Sequence, residues 1–186
     1  DNTFATPYLQ QPFQYGVDFV IHSTTKFLNG HGTAIGGVLL GTDIPFMHGR
    51  ATKHFRLLGA STNAFDAFLL NNGIKTLEVR MDRHCSNAEK VAQFLNQHPH
   101  VERVNYLGLE AHPDYALAKK QMRHAGALMS FEVKGGFEAG KKCINALQIC
   151  THAVSLGTCD TLISHPASTT HVGVDRTLRL QSGITD

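Results

Sequence analysis

The run Val17-Asp18-Phe19-Val20-Ile21-His22-Ser23-Thr24-Thr25-Lys26 decides how this chain is read. Its first six residues are largely β-branched, aromatic or aliphatic, the make-up of a short buried strand, and Gly16 supplies the turn into it. Three hydroxyls and a lysine follow at the strand's end, and then a glycine-punctuated stretch, Asn29-Gly30-His31-Gly32. Ile35-Gly36-Gly37-Val38-Leu39-Leu40-Gly41 reads as a second short strand closed by glycine. Strand, polar loop and strand again, with glycines where backbones pass closely, is an α/β pattern in which ligands gather at strand ends. Hydroxyls and backbone N–H groups at such an end can hold phosphate oxygens. The Lys26 amine beside them is a candidate nucleophile, although a lone lysine after two threonines is ordinarily a solvated surface residue.

Working outward, small polar residues near Ser61 to Asp66 open a helix that Phe65, Phe68 and Leu69 carry to the stop signal Asn71-Asn72-Gly73. A longer helix is predicted over about Lys75 to Gln97. Leu77, Met81, Ala88, Val91, Ala92 and Leu95 recur there at helical spacing, with Glu78, Arg80, Arg83, Glu89 and Lys90 on the outer face. Arg80-Met81-Asp82-Arg83 reads as a solvated ion-pair face, and His98-Pro99 ends the helix. Past Pro99, Val101 to Tyr106 and Ala127 to Val133 read as strands, and Asp114 to Met122 and Phe137 to Leu147 as helices. That β-α-β-α order suggests a second, smaller α/β layer. The expected division is residues 1–73, a connecting helix over 74–98, and a small domain over 99–186.

Composition narrows the function classes. The 186 residues are 42% hydrophobic and 17% charged, with a net charge of +2, so the disordered class, which needs few apolar residues and a large net charge, is excluded. No basic stripe marks a nucleic-acid surface and no basic amphipathic helix a membrane surface. No apolar run approaches the ~20 residues of a membrane span. Cys85, Cys143, Cys150 and Cys159 form no C-x-x-C pair and read as reduced, buried thiols of a cytoplasmic protein. The twelve histidines are scattered with no zinc-ligand spacing, so no metal is expected, and His31 is singled out for its nearness to Lys26. With Asp1 first and Ser182-Gly183-Ile184-Thr185 just before the last residue, the chain is expected to be a segment of a longer protein.

Asp1-Asn2-Thr3 is a second candidate: an acid before a small hydroxyl residue caps a turn, or holds a protonated ring nitrogen. Taken together, Asp1-Asn2-Thr3-Phe4-Ala5-Thr6-Pro7, His22 through Gly32, Gly73-Ile74-Lys75-Thr76-Leu77, Arg80 through His84, Ser155-Leu156-Gly157 and His165 through His171 resemble one family end to end. It is the Cys/Met-metabolism (trans-sulfuration) family of pyridoxal 5'-phosphate (PLP) enzymes, which holds cystathionine γ-synthase, O-acyl-homoserine sulfhydrylase, cystathionine γ-lyase and methionine γ-lyase. The resemblance implies an α/β fold of the aspartate-aminotransferase-like type (fold type I): part of the large PLP-binding domain, the long helix, and a smaller C-terminal α/β domain. It implies that Lys26 forms the internal aldimine with PLP and shuttles protons at the substrate's Cα and Cβ. Asp1 would pair with the pyridinium nitrogen, Thr3 would lie close by, and Ser23 and Thr25 would bind the phosphate. Ser155 would touch the substrate carboxylate and Thr170 would help hold that region. An acid beside the ring nitrogen keeps the ring protonated and electron-withdrawing.

The implied reaction is γ-replacement on an O-acyl-homoserine, forming cystathionine or homocysteine in methionine biosynthesis. The alternative is γ-elimination, as in a methionine or cystathionine γ-lyase, giving a 2-oxo acid, ammonia and a thiol. A non-catalytic remnant or assembly subunit is the reading from another class, and the intact Asp1, Lys26 and hydroxyls argue against it. Methionine γ-lyases tend to carry a Lys-Asp pair where Phe55-Arg56 stand, before Leu57-Leu58-Gly59, and that tilts the reading toward γ-replacement. The resemblance further implies a small amino-acid substrate, a homotetramer built as a dimer of dimers, and family elements outside this chain: the phosphate loop, a ring-stacking aromatic and a carboxylate-binding arginine.

Overall fold

The computed structural model describes residues 1–59 and 61–185. After a short helix α1 (Thr6–Leu9) and a tight turn over Pro12–Tyr15, strand β1 (Phe19–Ser23) pairs antiparallel with β2 (Gly37–Gly41), in the register Val20 opposite Leu40 and His22 opposite Val38. Between them the chain makes a wide helical turn over Thr24–Leu28 that is broken at Lys26, whose φ of -89° and ψ of -134° leave the helical region.

Beyond β2 the helical pieces α2 (Ile44–Phe46), Met47–Ala51 and α3 (Thr52–Leu58) follow one another, started by the Asp43 carboxylate, which accepts the Phe46 N–H. Nothing in the sequence pattern predicts this run. It buries no residue, so it carries no apolar stripe to read. Helix α4 (Ala64–Ile74) is capped by Asn63, whose side chain accepts the Asp66 N–H and donates to the Asp66 carboxylate.

Helix α5 (Leu77–Asn96) lies within two residues of its predicted span. Leu77, Arg80, Met81, Cys85, Ala88 and Ala92 are its buried residues, with steps of three or four except for the adjacent Arg80 and Met81. Its first half joins Ala5, Leu9, Phe27 and Leu28 in the main core, where Met81 is fully buried. Its second half packs Ala88 and Ala92 on Tyr106. The reading of Arg80 as part of a solvated face is therefore corrected: Arg80 points inward beside Met81, which the apolar stripe already places in the core, and Asp82 and Arg83 are exposed. Helical spacing places both of the first two on the inner stripe, and only the charge on Arg80 argues otherwise.

Past α5, β3 (Val101–Asn105) pairs antiparallel with β4 (Ser130–Val133) across α6 (Tyr115–Gln121), with an irregular step between Val101 and Arg103. Helix α7 (Gly136–Ala146) follows and packs on β4. Then come the two-residue strands β5 (Thr151–His152) and β6 (Leu162–Ile163), which are parallel, and α8 (Arg176–Gln181), capped by Asp175. The chain is thus α/β. Among the described residues no helix is long and apolar enough to cross a membrane, and no group of three or more His, Cys, Asp or Glu side chains is placed to hold a metal ion.

Candidate active site

The site is built where β1 ends. Ser23 closes the strand, and its backbone N–H donates to the Thr3 hydroxyl at 2.8 Å. Thr3 in turn donates its own N–H to the Asp1 carboxylate, also at 2.8 Å. Asp1 therefore both caps a turn and sits at the head of a hydrogen-bonded path that runs through Thr3 into the segment bearing Lys26.

Two neighbours hold that path in place. Asn2 is buried; its N–H donates to the Ile21 carbonyl, and its side-chain amide donates to the Thr6 and Gln10 carbonyls at 3.2 and 3.1 Å. Thr6 has no solvent exposure and a φ of 61°, a left-handed conformation that a β-branched residue seldom adopts. Such a conformation costs about 1–3 kcal/mol, so the surrounding bonds must fix it. The segment 1–6 is thereby tied to β1.

On the other side of Ser23, Thr24 is buried and Thr25 half-buried. The Thr25 hydroxyl accepts the Gly36 N–H at 3.0 Å and donates to the Gly36 carbonyl at 3.3 Å, clamping the turn to the start of β2. Lys26 is half-buried, and its Nζ donates to the Ser155 hydroxyl at 3.2 Å. Gly157 makes this approach possible. At φ +84°, it lies so close to the lysine backbone that a Cβ there would stand 2.5 Å from the Phe27 nitrogen and 2.8 Å from the Lys26 carbonyl carbon.

The structure thus brings Asp1, Thr3 and Ser23 together, and Lys26 with Ser155. It does not bring Thr170 to them: its exposed hydroxyl bonds the His171 ring at 2.8 Å. His31, singled out for its nearness to Lys26, is exposed and bonds the Asn29 carbonyl through Nδ1. Asp1 and Ser155 face different hollows. Asp1 lines one of about 570 Å³ with Phe4, Tyr106 and His112. Ser155 and Gly157 line one of about 860 Å³ with Phe27, His84 and Val91. The cysteines also differ from expectation: Cys85 is buried, Cys143 and Cys150 are partly buried, and Cys159 is exposed with its thiol 3.4 Å from the Gly30 carbonyl.

Beneath the lysine lies a residue that sequence reasoning placed in solvent. Arg80 reaches from α5 to donate to the carbonyls of Phe27 and Gly73, each at 2.8 Å, and to the Thr76 hydroxyl at 3.0 Å. Burial works against its charge. One turn further along, His84 sets its ring edge-on to Phe27 at 5.6 Å, and burial together with the Arg80 charge lowers its pKa below the usual 6.5.

This arrangement suits a cofactor that links covalently to an amine and carries a phosphate and a basic ring. It offers one primary amine, a carboxylate, and hydroxyls at a strand end whose own backbone N–H groups are already taken up by Thr3 and Gly36. Residues 1–186, the whole chain, match the model of the Cys/Met metabolism PLP-dependent enzyme family. The chain belongs to this family. Among curated relatives, the L-methionine gamma-lyase of Fusobacterium nucleatum subsp. polymorphum is 51% identical over 186 residues, 100% of this chain and 47% of that protein. The cystathionine beta-lyase of Coxiella burnetii is 45% identical, over 100% of this chain and 48% of its own length. Among solved structures, cystathionine gamma synthase from Xanthomonas oryzae pv. oryzae, in complex with aminoacrylate and cysteine, superposes with a TM-score of 0.95 at 41% identity, over 100% of this chain and 48% of that one. The chain spans about half the length of the curated relatives it matches, and the family's fold, with its PLP dependence, is the frame for the residues above.

Proposed function

We propose that the protein is a PLP-dependent enzyme of sulfur amino-acid metabolism that works at the γ-carbon of its substrate, with Lys26 as the cofactor-linked amine. The observation that supports this is the placing of Lys26: its Nζ donates to the Ser155 hydroxyl at 3.2 Å, and it stands three residues past Ser23, whose N–H is held by the Thr3 hydroxyl at 2.8 Å beside Asp1.

PLP, when bound, supplies an electron sink that lets protons leave the α- and β-carbons of an amino acid. In this reading Asp1 would pair with the ring nitrogen, its carboxylate held by the Thr3 N–H. The Ser23 hydroxyl would anchor the phosphate, and the Thr25 hydroxyl would join it on giving up its 3.3 Å bond to the Gly36 carbonyl. Lys26 Nζ takes and returns the proton at Cα and Cβ, and Ser155 holds the amine on its near side and meets the substrate carboxylate. Thr170 is retained as a second contributor to that region. Domain boundaries at 73 and 98 separate the lysine-bearing part from the smaller one. The substrate is a small amino acid, and the whole protein is a cytoplasmic homotetramer.

Between the two reactions we favour γ-elimination from methionine or a related thioether, because a methionine γ-lyase is 51% identical over the full chain. The tilt toward γ-replacement rested on Phe55-Arg56, and those residues lie on α3, where Phe55, Leu57 and Leu58 are more than half exposed. Among the described residues no hydrogen bond joins that helix to Lys26. The second reading, γ-replacement on an O-acyl-homoserine, keeps its support from the 0.95 superposition with a cystathionine γ-synthase.

The test uses the full-length protein. With PLP it should show a visible absorption band that borohydride removes and Lys26→Ala abolishes, and a colourless wild type overturns the proposal. Release of 2-oxobutanoate from methionine alone supports elimination. Thioether formation from O-acetyl- or O-succinyl-homoserine and cysteine, with no oxo acid from methionine, supports replacement.

A further inference from the structure

We propose that Arg80 is a positioning residue for Lys26, acting through the peptide that follows it; this rests on the reading of Lys26 as the cofactor-linked amine. Lys26 stands at a break in its own turn, so the turn's hydrogen bonds alone do not fix it. The Thr24 carbonyl accepts the Asn29 N–H at 3.0 Å and the Lys26 carbonyl accepts the Gly30 N–H at 2.8 Å. The Phe27 carbonyl, one residue past the lysine, goes instead to Arg80 Nη1 at 2.8 Å. Nη2 and Nε of the same side chain bond Gly73 and Thr76 at the junction of α4 and α5. One planar fork with three engaged nitrogens thus ties the lysine segment to the two helices behind it. The compact ammonium of a lysine does not offer that geometry.

The surrounding glycines are shaped around this grip. A Cβ on Gly30, at φ +72°, would fall 2.1 Å from Arg80 Nη1, and one on Gly73 would fall 2.1 Å from the Asn29 carbonyl oxygen. Gly157 presses on the Lys26–Phe27 peptide from another segment, and His84 braces the Phe27 ring from α5. All three Arg80 partners are neutral, and among the described residues no ion pair includes it. Its buried charge is therefore satisfied by the groups that shape the lysine segment rather than by a carboxylate.

The experiment compares wild type, Arg80→Lys and Thr76→Val in the full-length protein. Steady-state kinetics are measured on the substrate that the wild type turns over, and amide hydrogen exchange is measured with PLP removed. A misplaced reacting group costs about a hundredfold in rate. Arg80→Lys should therefore lose about that much kcat with KM held within about twofold, while keeping the wild-type visible band and oligomeric size. Thr76→Val, which removes one of three acceptors, should lose about tenfold. In the cofactor-free protein the Asn29 and Gly30 amides should exchange about tenfold faster in both variants, with helix α5 unchanged. Wild-type kcat in Arg80→Lys overturns the proposal, as does a loss of kcat that comes with faster exchange throughout the chain. Should Arg80→Lys fail to fold, Thr76→Val decides alone: wild-type exchange at Asn29 and Gly30 in that variant overturns the proposal. A wild type without the visible band sinks the Lys26 reading, and exchange in the cofactor-free variants then still decides whether Arg80 holds this segment.

Discussion

Lys26 Nζ lies 3.2 Å from Ser155 Oγ although the two residues are 129 positions apart, and Gly157 is the reason they can meet. The hydroxyl is the amine's partner in the structure. Ser155→Ala should therefore keep the visible band but lower kcat about tenfold, the scale of one hydrogen bond to a charged group. Stopped-flow turnover alongside the spectrum checks this, and unchanged turnover would remove Ser155 from the site.

Gly157 allows a sharper test. Its φ of +84° and the 2.5 Å approach to the Phe27 nitrogen leave no room for a methyl group. Gly157→Ala should push the 155–157 segment off the lysine, lowering cofactor affinity and destabilising the fold by about 1–3 kcal/mol. Urea unfolding and PLP titration report the two effects separately.

Thr3 joins the acid end to the strand. Thr3→Val removes the acceptor for the Ser23 N–H at a buried position, and an unsatisfied donor there costs about 1–3 kcal/mol. Thr3→Ser keeps the hydroxyl and should recover most of the loss. Equal urea midpoints for the two variants would contradict the bond's importance.

Stability should fall at alkaline pH, and the sign follows from burial. Cys85 is buried and its thiol is pushed up from 9.0 to about 11, chiefly by desolvation. Tyr106, buried and donating to the Gly126 carbonyl, is pushed up from 10.0 to about 12, again chiefly by desolvation. Both groups stay protonated in the folded state after the unfolded chain has ionised, so stability is full below pH 9 and drains away as pH rises toward 12. The loss is on the order of 2–3 kcal/mol for each group. Cys85→Ala should flatten the first part of that decline in urea midpoints measured against pH.

Acid should weaken the fold as well. Burial lowers the pKa of both His22 and His84, and among the described residues His22 Nδ1 and His84 Nε2 have no hydrogen-bond partner. The unfolded chain binds a proton at each near the usual 6.5, before the folded chain does, so stability is full above that pH and declines below it. His84→Phe, which keeps a ring against Phe27, should reduce the decline between pH 7 and 5.

Much of the frame was legible before any coordinates. Strand β1, helices α4 and α5, and the β3-α6-β4-α7 order all follow from apolar spacing and from stops such as Asn71-Asn72-Gly73 and His98-Pro99. Helices α2 and α3 were not legible, because a run that buries nothing leaves no stripe. The site was legible only in pieces. A lysine after three hydroxyls at a strand end suggests chemistry, but the local signal of Asp1 and Thr3 is only that of a capped turn, and it took the resemblance to a family to set them beside it. Arg80 was misread because charge outweighed its place on the inner stripe. A buried arginine needs acceptors, and here they are backbone carbonyls at Phe27 and Gly73, which no residue letter reveals. The glycines at 30, 73 and 157 were the available hint, since each marks a close backbone or side-chain approach.

Helix α5 carries Arg80 and His84 under the lysine segment and Ala88 and Ala92 under Tyr106. A single rod about 30 Å long thus touches both halves of the chain. Swapping parts between family members would cut badly anywhere inside this rod, since each end has been fitted to a different neighbour. A hybrid joined in the turn after Asn96 must still bring a compatible Tyr106 seat for the foreign half. One joined at Lys75 puts Arg80 on one side and Gly30 and Gly73 on the other, so the arginine of one parent must fit the glycines of the other.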